Sequence, residues 1–203
     1  FTLNSAVDNL CKNEFDHYRA KAEPHPMFIE HGIDAVPFAH EKMDEWRNNF
    51  KGIRHIDEAA GYNFGGAVDD IWEKPNGDLI VIDVKSTSKN VFDWEDTYSK
   101  WEYAKGYRRQ LEMYQWLLEK NGFNVASEGY LVYYNGKKHE PMFNQQLTFD
   151  LHLVKLDCDN SWVQEAVLNA KATLDGGMPK PSKSCENCNY LRKRWEVSQK
   201  DPN

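Results

Sequence analysis

At 203 residues, with four cysteines and a formal net charge of -7, the chain is long enough for one substantial core and cramped for two. The acidic balance excludes a protein that coats nucleic acid along its whole surface, though not a local basic path to an acidic site. No apolar run reaches bilayer length and the cysteines are too scattered for a disulfide framework, so the expectation is a reducing, intracellular (cytoplasmic) setting with no membrane partner. The sequence opens at Phe1 without a signal-peptide pattern, and a segment upstream of it is expected.

From Asn4 to Ala20 the residues Ala6, Val7, Leu10, Cys11, Phe15 and Tyr18 recur at spacings of three and four, which predicts a helix. Glu23 to Pro37 holds three prolines and reads as a connection with a short extended piece at Met27–Ile29. Ile53–Ala60 is ambiguous. Tyr62–Trp72 reads as one strand of a hairpin, Pro75-Asn76-Gly77 as its turn and Leu79–Val84 as the partner strand. Trp101–Lys120 carries the strongest helical pattern, stopped by Asn121-Gly122. Strands follow at Gly129–Tyr134 and Gln146–Lys155, then a helix at Trp162–Leu174. The cysteine-containing tail, 178–203, reads as loop with a short helix at most. Strands bracketing a long helix, with helices at both ends, imply an α/β (α+β) fold in one domain: a central mixed sheet flanked by helices.

One strand is chemically odd. In Leu79–Val84 an aspartate, Asp83, interrupts an apolar run, and Lys85 follows two residues later. Strand side chains alternate faces, so Asp83 and Lys85 point to the same side of the sheet. Charges on an apolar strand cost free energy unless compensated, so the two either pair with each other or hold something. Across the turn lies Asp69, which a hairpin would bring toward them. Hard divalent cations take oxygen ligands and keep waters beside one or two carboxylates. Asp69, Asp83 and Lys85 could thus converge on one metal; the alternative is a surface hairpin on which Asp83 and Lys85 form an ordinary exposed pair.

These residues carry a resemblance. G-A-V-D at Gly66–Asp69 followed by I-D-V-K at Ile82–Lys85 resembles the core of the PD-(D/E)XK nuclease superfamily, and Y-R-R-Q-L-E-M-Y at Tyr107–Tyr114 resembles the Q-x-x-x-Y helix of its RecB-like branch. That branch includes AddB-type nuclease domains and the exonucleases of CRISPR adaptation. The resemblance implies a restriction-endonuclease-like core and a deoxyribonuclease using Mg2+ or Mn2+, more in keeping with an exonuclease than an endonuclease. Its metal ligands would be Asp69, Asp83 and the backbone carbonyl of Val84, and Lys85 its catalytic lysine. Gln110 and Tyr114 would face the site from the helix, although their spacing also suits a pair stacked on a helix face. RecB-like nucleases often add a histidine ligand from an N-terminal helix. Here Asp8 stands in the matching helix, and His40 is the competing candidate.

Cys185 and Cys188 have the spacing that lets one loop present two thiolates to a metal. Comparable C-x-x-C pairs in RecB-like nucleases hold an iron–sulfur cluster with a third cysteine nearby, but Arg194 stands where that cysteine is expected. A zinc or iron–sulfur site would need cysteines upstream of Phe1, in a full-length protein. Lys105, Arg108 and Arg109 on the Gln110 helix are candidate phosphate contacts for DNA, single-stranded or with free ends. The neighbouring Tyr98, Trp101, Tyr103 and Tyr107 are placed either to stack on unpaired bases or to join the core. Two other readings stay open: an inactive nucleic-acid-binding or assembly module on the same fold, and a metal-free structural domain.

Overall fold

A computed structural model describes residues 2–200, which fall into two compact units divided after Gln164. In the first unit, α1 (Thr2–Arg19) leads through α2 (Pro26–Glu30), β1 (Val36–Pro37) and α3 (Met43–Trp46) to two hairpins. The first hairpin is β2 (Ile53–Asp57) with β3 (Tyr62–Gly66), and the second is β4 (Asp70–Glu73) with β5 (Leu79–Thr87). Then come α4 (Trp94–Lys100), α5 (Glu102–Lys120), β6 (Val125–Gly136), β7 (Phe149–Asp157) and the start of α6 (Val163–Asp175). The main sheet has five strands in the order β1-β4-β5-β6-β7, and β2-β3 forms a separate ribbon. Only β5 and β6 run parallel, with α4 and α5 as the crossover between them, so the sheet is mixed.

Alternation along β5 sorts its two faces. Ile80 and Ile82, with Trp72, Tyr130 and Val132, join Cys11 and Phe15 of α1 and Met27 and Phe28 of α2 in one core cluster. Burying each of the large apolar side chains there stabilises the fold by about 1.5–3 kcal/mol. The opposite face carries Val81, Asp83 and Lys85 and receives α5, whose Leu111, Leu117 and Leu118 are fully buried. The sheet thus lies between helices, as a restriction-endonuclease-like core requires. Among the described residues no helix is long and apolar enough to cross a membrane.

Several expectations are corrected. Met27–Ile29 lies within a helix, because Pro26 takes the first helical position, where its missing N–H is no loss, and His25 Nδ1 accepts from the Met27 amide at 3.1 Å. Tyr62–Trp72 is two strands in two sheets. Between them Val68 is buried and its amide donates to Trp46 O at 3.1 Å, which turns the chain out of one ladder and into the other. The segment before Trp101 holds a further helix, α4, capped by the Asp93 side chain accepting from the Asp96 amide at 2.9 Å. In the second unit, which continues α6, the tail forms the 15-residue α7 (Glu186–Lys200), a longer helix than expected from a run free of proline and glycine.

Candidate active site

The ladder between β4 and β5 ends at the pair Asp70 and Ile82, so β5 runs on past its neighbour with an open edge. Asp69 stands at that break. Its Oδ2 accepts the Val84 amide at 2.7 Å, replacing the strand partner that β4 no longer supplies. A strand residue sends its N–H and C=O to the same edge, so the Val84 carbonyl faces the gap as well. Here a cleft of about 400 Å³ opens, lined among others by Asp8, Asp69, Asp83, Val84, Lys85, Tyr107, Gln110 and Tyr114. Residues from α1, the pre-β4 turn, β5 and α5 meet in it.

Asp83 is the most constrained of them. Its side chain is 3% exposed, and the Lys85 ammonium forms an ion pair with Oδ2. Oδ2 is buried, and the Lys85 ammonium is the charge that faces it. Burial first, and then the negative charge of Asp69, push the Asp83 carboxyl up to about 7 against the opposing pull of Lys85. Lys85 itself is steadied from α5, with its Nζ 4.5 Å from the centroid of the Tyr107 ring.

Gln110 and Tyr114 line the cleft and also pair with each other, Gln110 Nε2 donating to the Tyr114 hydroxyl at 2.8 Å. Burial raises the Tyr114 phenol to about 12, so it remains protonated at neutral pH. The ring fits only because residue 66 is glycine: a Cβ there would lie 2.6 Å from Tyr114 Cε1. Gly66 of the G-A-V-D stretch thus belongs to the site by leaving space.

Asp8 borders the cleft, but its Oδ2 is held by Lys12 Nζ at 2.8 Å, and the same ammonium lies 3.6 Å from Asp69 Oδ1. Lys12 was not singled out in the sequence, although its position one turn after Asp8 marks it as a helix-face partner. His40 does not line this cleft. Its ring stacks on Trp46 at 4.3 Å and its Nδ1 accepts the Lys42 amide, so packing and a turn account for it. Asp70, adjacent to Asp69, points away from the site and is completely buried between Arg19 and Arg47.

Among the described residues no three His, Cys, Asp or Glu side chains gather closely enough to hold one ion. The donor set nevertheless fits a hard divalent cation. Asp69 and Asp83 are adjacent, Asp83 is buried with the Lys85 ammonium against its Oδ2, and magnesium sites need only one or two carboxylates completed by water.

Of the expected phosphate contacts, Lys105 and Arg109 both pair with Glu102, at 3.1 and 2.7 Å. Arg108 donates to the buried Glu112, which also accepts the Trp162 indole at 2.7 Å, so Arg108 serves a structural network. Cys185 and Cys188 are free thiols at the start of α7, the Cys188 amide donating to Cys185 Sγ at 3.4 Å.

A family comparison matches residues 2–192 to the PD-(D/E)XK nuclease superfamily. The chain belongs to that superfamily, whose members are typically metal-dependent nucleases. No curated protein and no solved structure gave a significant match.

Proposed function

We propose that the protein is a metal-dependent deoxyribonuclease of the RecB-like branch, acting from free ends rather than within a strand. The observation that carries this reading is the convergence of Asp69, Asp83, Lys85, Gln110 and Tyr114 in one cleft around a buried carboxylate that a lysine faces. Asp69 Oδ1, Asp83 Oδ2 and the Val84 carbonyl would hold Mg2+ or Mn2+. A cation there supplies an activated water and neutralises charge on a phosphodiester under in-line attack.

The chain's own groups do the rest. Lys85, aligned by Asp83 and Tyr107, presents its ammonium to the phosphoryl oxygens as negative charge builds on them. The Gln110–Tyr114 pair presents an amide and a neutral phenol to the substrate phosphate. Asp83, the group with the raised pKa, must be ionised to take the cation. Attack by water in line with the leaving oxygen needs no covalent enzyme intermediate.

A second reading, a nucleic-acid-binding module that cuts nothing, is favoured by Lys12: its ammonium pairs with Asp8 and offsets part of the charge of Asp69 without a metal. End-labelled single- and double-stranded DNA incubated with Mn2+, Mg2+ or EDTA separates the two. Cleavage that needs metal and releases mononucleotides from an end supports the nuclease. Binding that is unchanged by EDTA, with intact DNA in every metal, supports the module.

A further inference from the structure

The amino-terminal turn of α5 exposes rings that a helix on a sheet has no need to expose. Trp101, at the N-cap, is 54% accessible and Tyr103 is 47% accessible. They are not isolated. Trp101 stacks on Tyr103 with centroids 6.1 Å apart and planes 29° from parallel, and Tyr103 meets Tyr107 edge to face at 5.7 Å. Tyr107 in turn lies under the Lys85 ammonium at 4.5 Å. The rings form a continuous run from the lysine of the cleft to open solvent, with the exposed members at the outer end.

The charges beside this run suit a polyanion. Lys105 and Arg109 share a single acidic partner, Glu102, so this stretch of helix keeps a surplus of positive charge. Exposed aromatic faces next to cations are what an unpaired polynucleotide needs: phosphates find the ammonium and guanidinium groups, and bases find the rings. A duplex offers free base faces only at its two ends.

We infer that Trp101, Tyr103 and Tyr107 form a stacking track for a single strand of nucleic acid, leading its phosphodiester to Lys85. The inference rests on the nuclease reading of the cleft and names its substrate class. The outer rings bind bases, while Tyr107 joins the track to the lysine. The sequence left these aromatics between base contacts and core; for Trp101 and Tyr103 their exposure removes the core alternative.

The test is binding of a fluorescent oligothymidine of about 16 nucleotides, against a blunt duplex of the same length, in EDTA so that no strand is cut. Wild type, Trp101→Leu, Tyr103→Leu and Trp101→Phe are compared. Leucine keeps apolar area without a π-face, and phenylalanine keeps the face. Each leucine variant is expected to weaken oligothymidine binding about tenfold and to weaken duplex binding far less, with Trp101→Phe recovering most of the loss. Leucine variants that bind the single strand as wild type does, an equal loss on the duplex, or no binding of the oligomer by wild type would each overturn the track. Hydrolysis of bis(para-nitrophenyl) phosphate by wild type in Mn2+ reports on the cleft separately. Hydrolysis with ring-independent strand binding sinks the track alone. Ring-dependent binding with no hydrolysis sinks the nuclease reading and leaves the track standing.

Discussion

The Val84 amide donates to Oδ2 of Asp69 at 2.7 Å, tying the turn before β4 to the strand that carries Asp83 and Lys85. One oxygen of Asp69 thus builds the site, while the other, Oδ1, faces the Lys12 ammonium. The two duties separate by mutation. Asp69→Asn keeps an acceptor for Val84 and loses the charge, so it should fold with stability within about 0.5 kcal/mol of wild type yet show no rise in Tm on adding Mn2+. Asp69→Ala should lose the Mn2+ response and, in addition, about 1 kcal/mol of stability. Thermal melts with and without the ion check both.

Metal binding should depend on pH through Asp83. Its carboxyl is pushed from an ordinary 3.8 up to about 7, chiefly by burial. In the metal-free protein the folded state therefore holds this proton more tightly than the unfolded chain does. The stability it contributes is fully present below about pH 4 and is lost as pH rises through about 7. A cation reverses the balance because it must displace the proton. Mn2+ affinity should fall about tenfold per pH unit below about 7 and level off above it, as titration calorimetry over that range would show. A flat profile would mean that Asp83 is not a ligand.

Gly66→Ala should damage the site sterically. The new methyl group would lie 2.6 Å from Tyr114 Cε1, and the ring's hydroxyl is tied to Gln110. The expected cost is about 1–3 kcal/mol in urea unfolding. Tyr114→Leu in the Gly66→Ala background should recover much of it, giving a coupling energy that an unrelated pair of substitutions would lack.

Lys12→Met removes the ammonium that competes with a cation for Asp8 and Asp69. Mn2+ should then bind roughly threefold to tenfold more tightly. Unchanged affinity would show that Lys12 and the ion occupy different places.

Much of the site was legible because strand periodicity is local. Asp83 and Lys85 two residues apart must share a face, and the structure pairs them. Gln110 and Tyr114 four apart must share a helix face, and they do. What was not legible depends on contacts distant in sequence. Asp69 and Asp70 look equivalent in the chain, but Arg19 and Arg47, on elements far upstream, draw Asp70 into the interior and leave Asp69 to the cleft. His40 reads as a candidate metal ligand, but its ring is stacked on Trp46 and meets Phe123 edge to face. The break at Ala67–Asp69 was hidden because Val68 is as apolar as a strand residue; its burial beside Trp46, not its type, ends β3.

Lys85→Ala offers the most direct test, because it parts binding from chemistry. The variant should still bind Mn2+ through Asp69 and Asp83, seen as a Tm rise like that of wild type, while metal-dependent cleavage of end-labelled DNA drops at least about a hundredfold. Cleavage at the wild-type rate by Lys85→Ala would contradict the account, since the ammonium beside Asp83 would then have no part in hydrolysis.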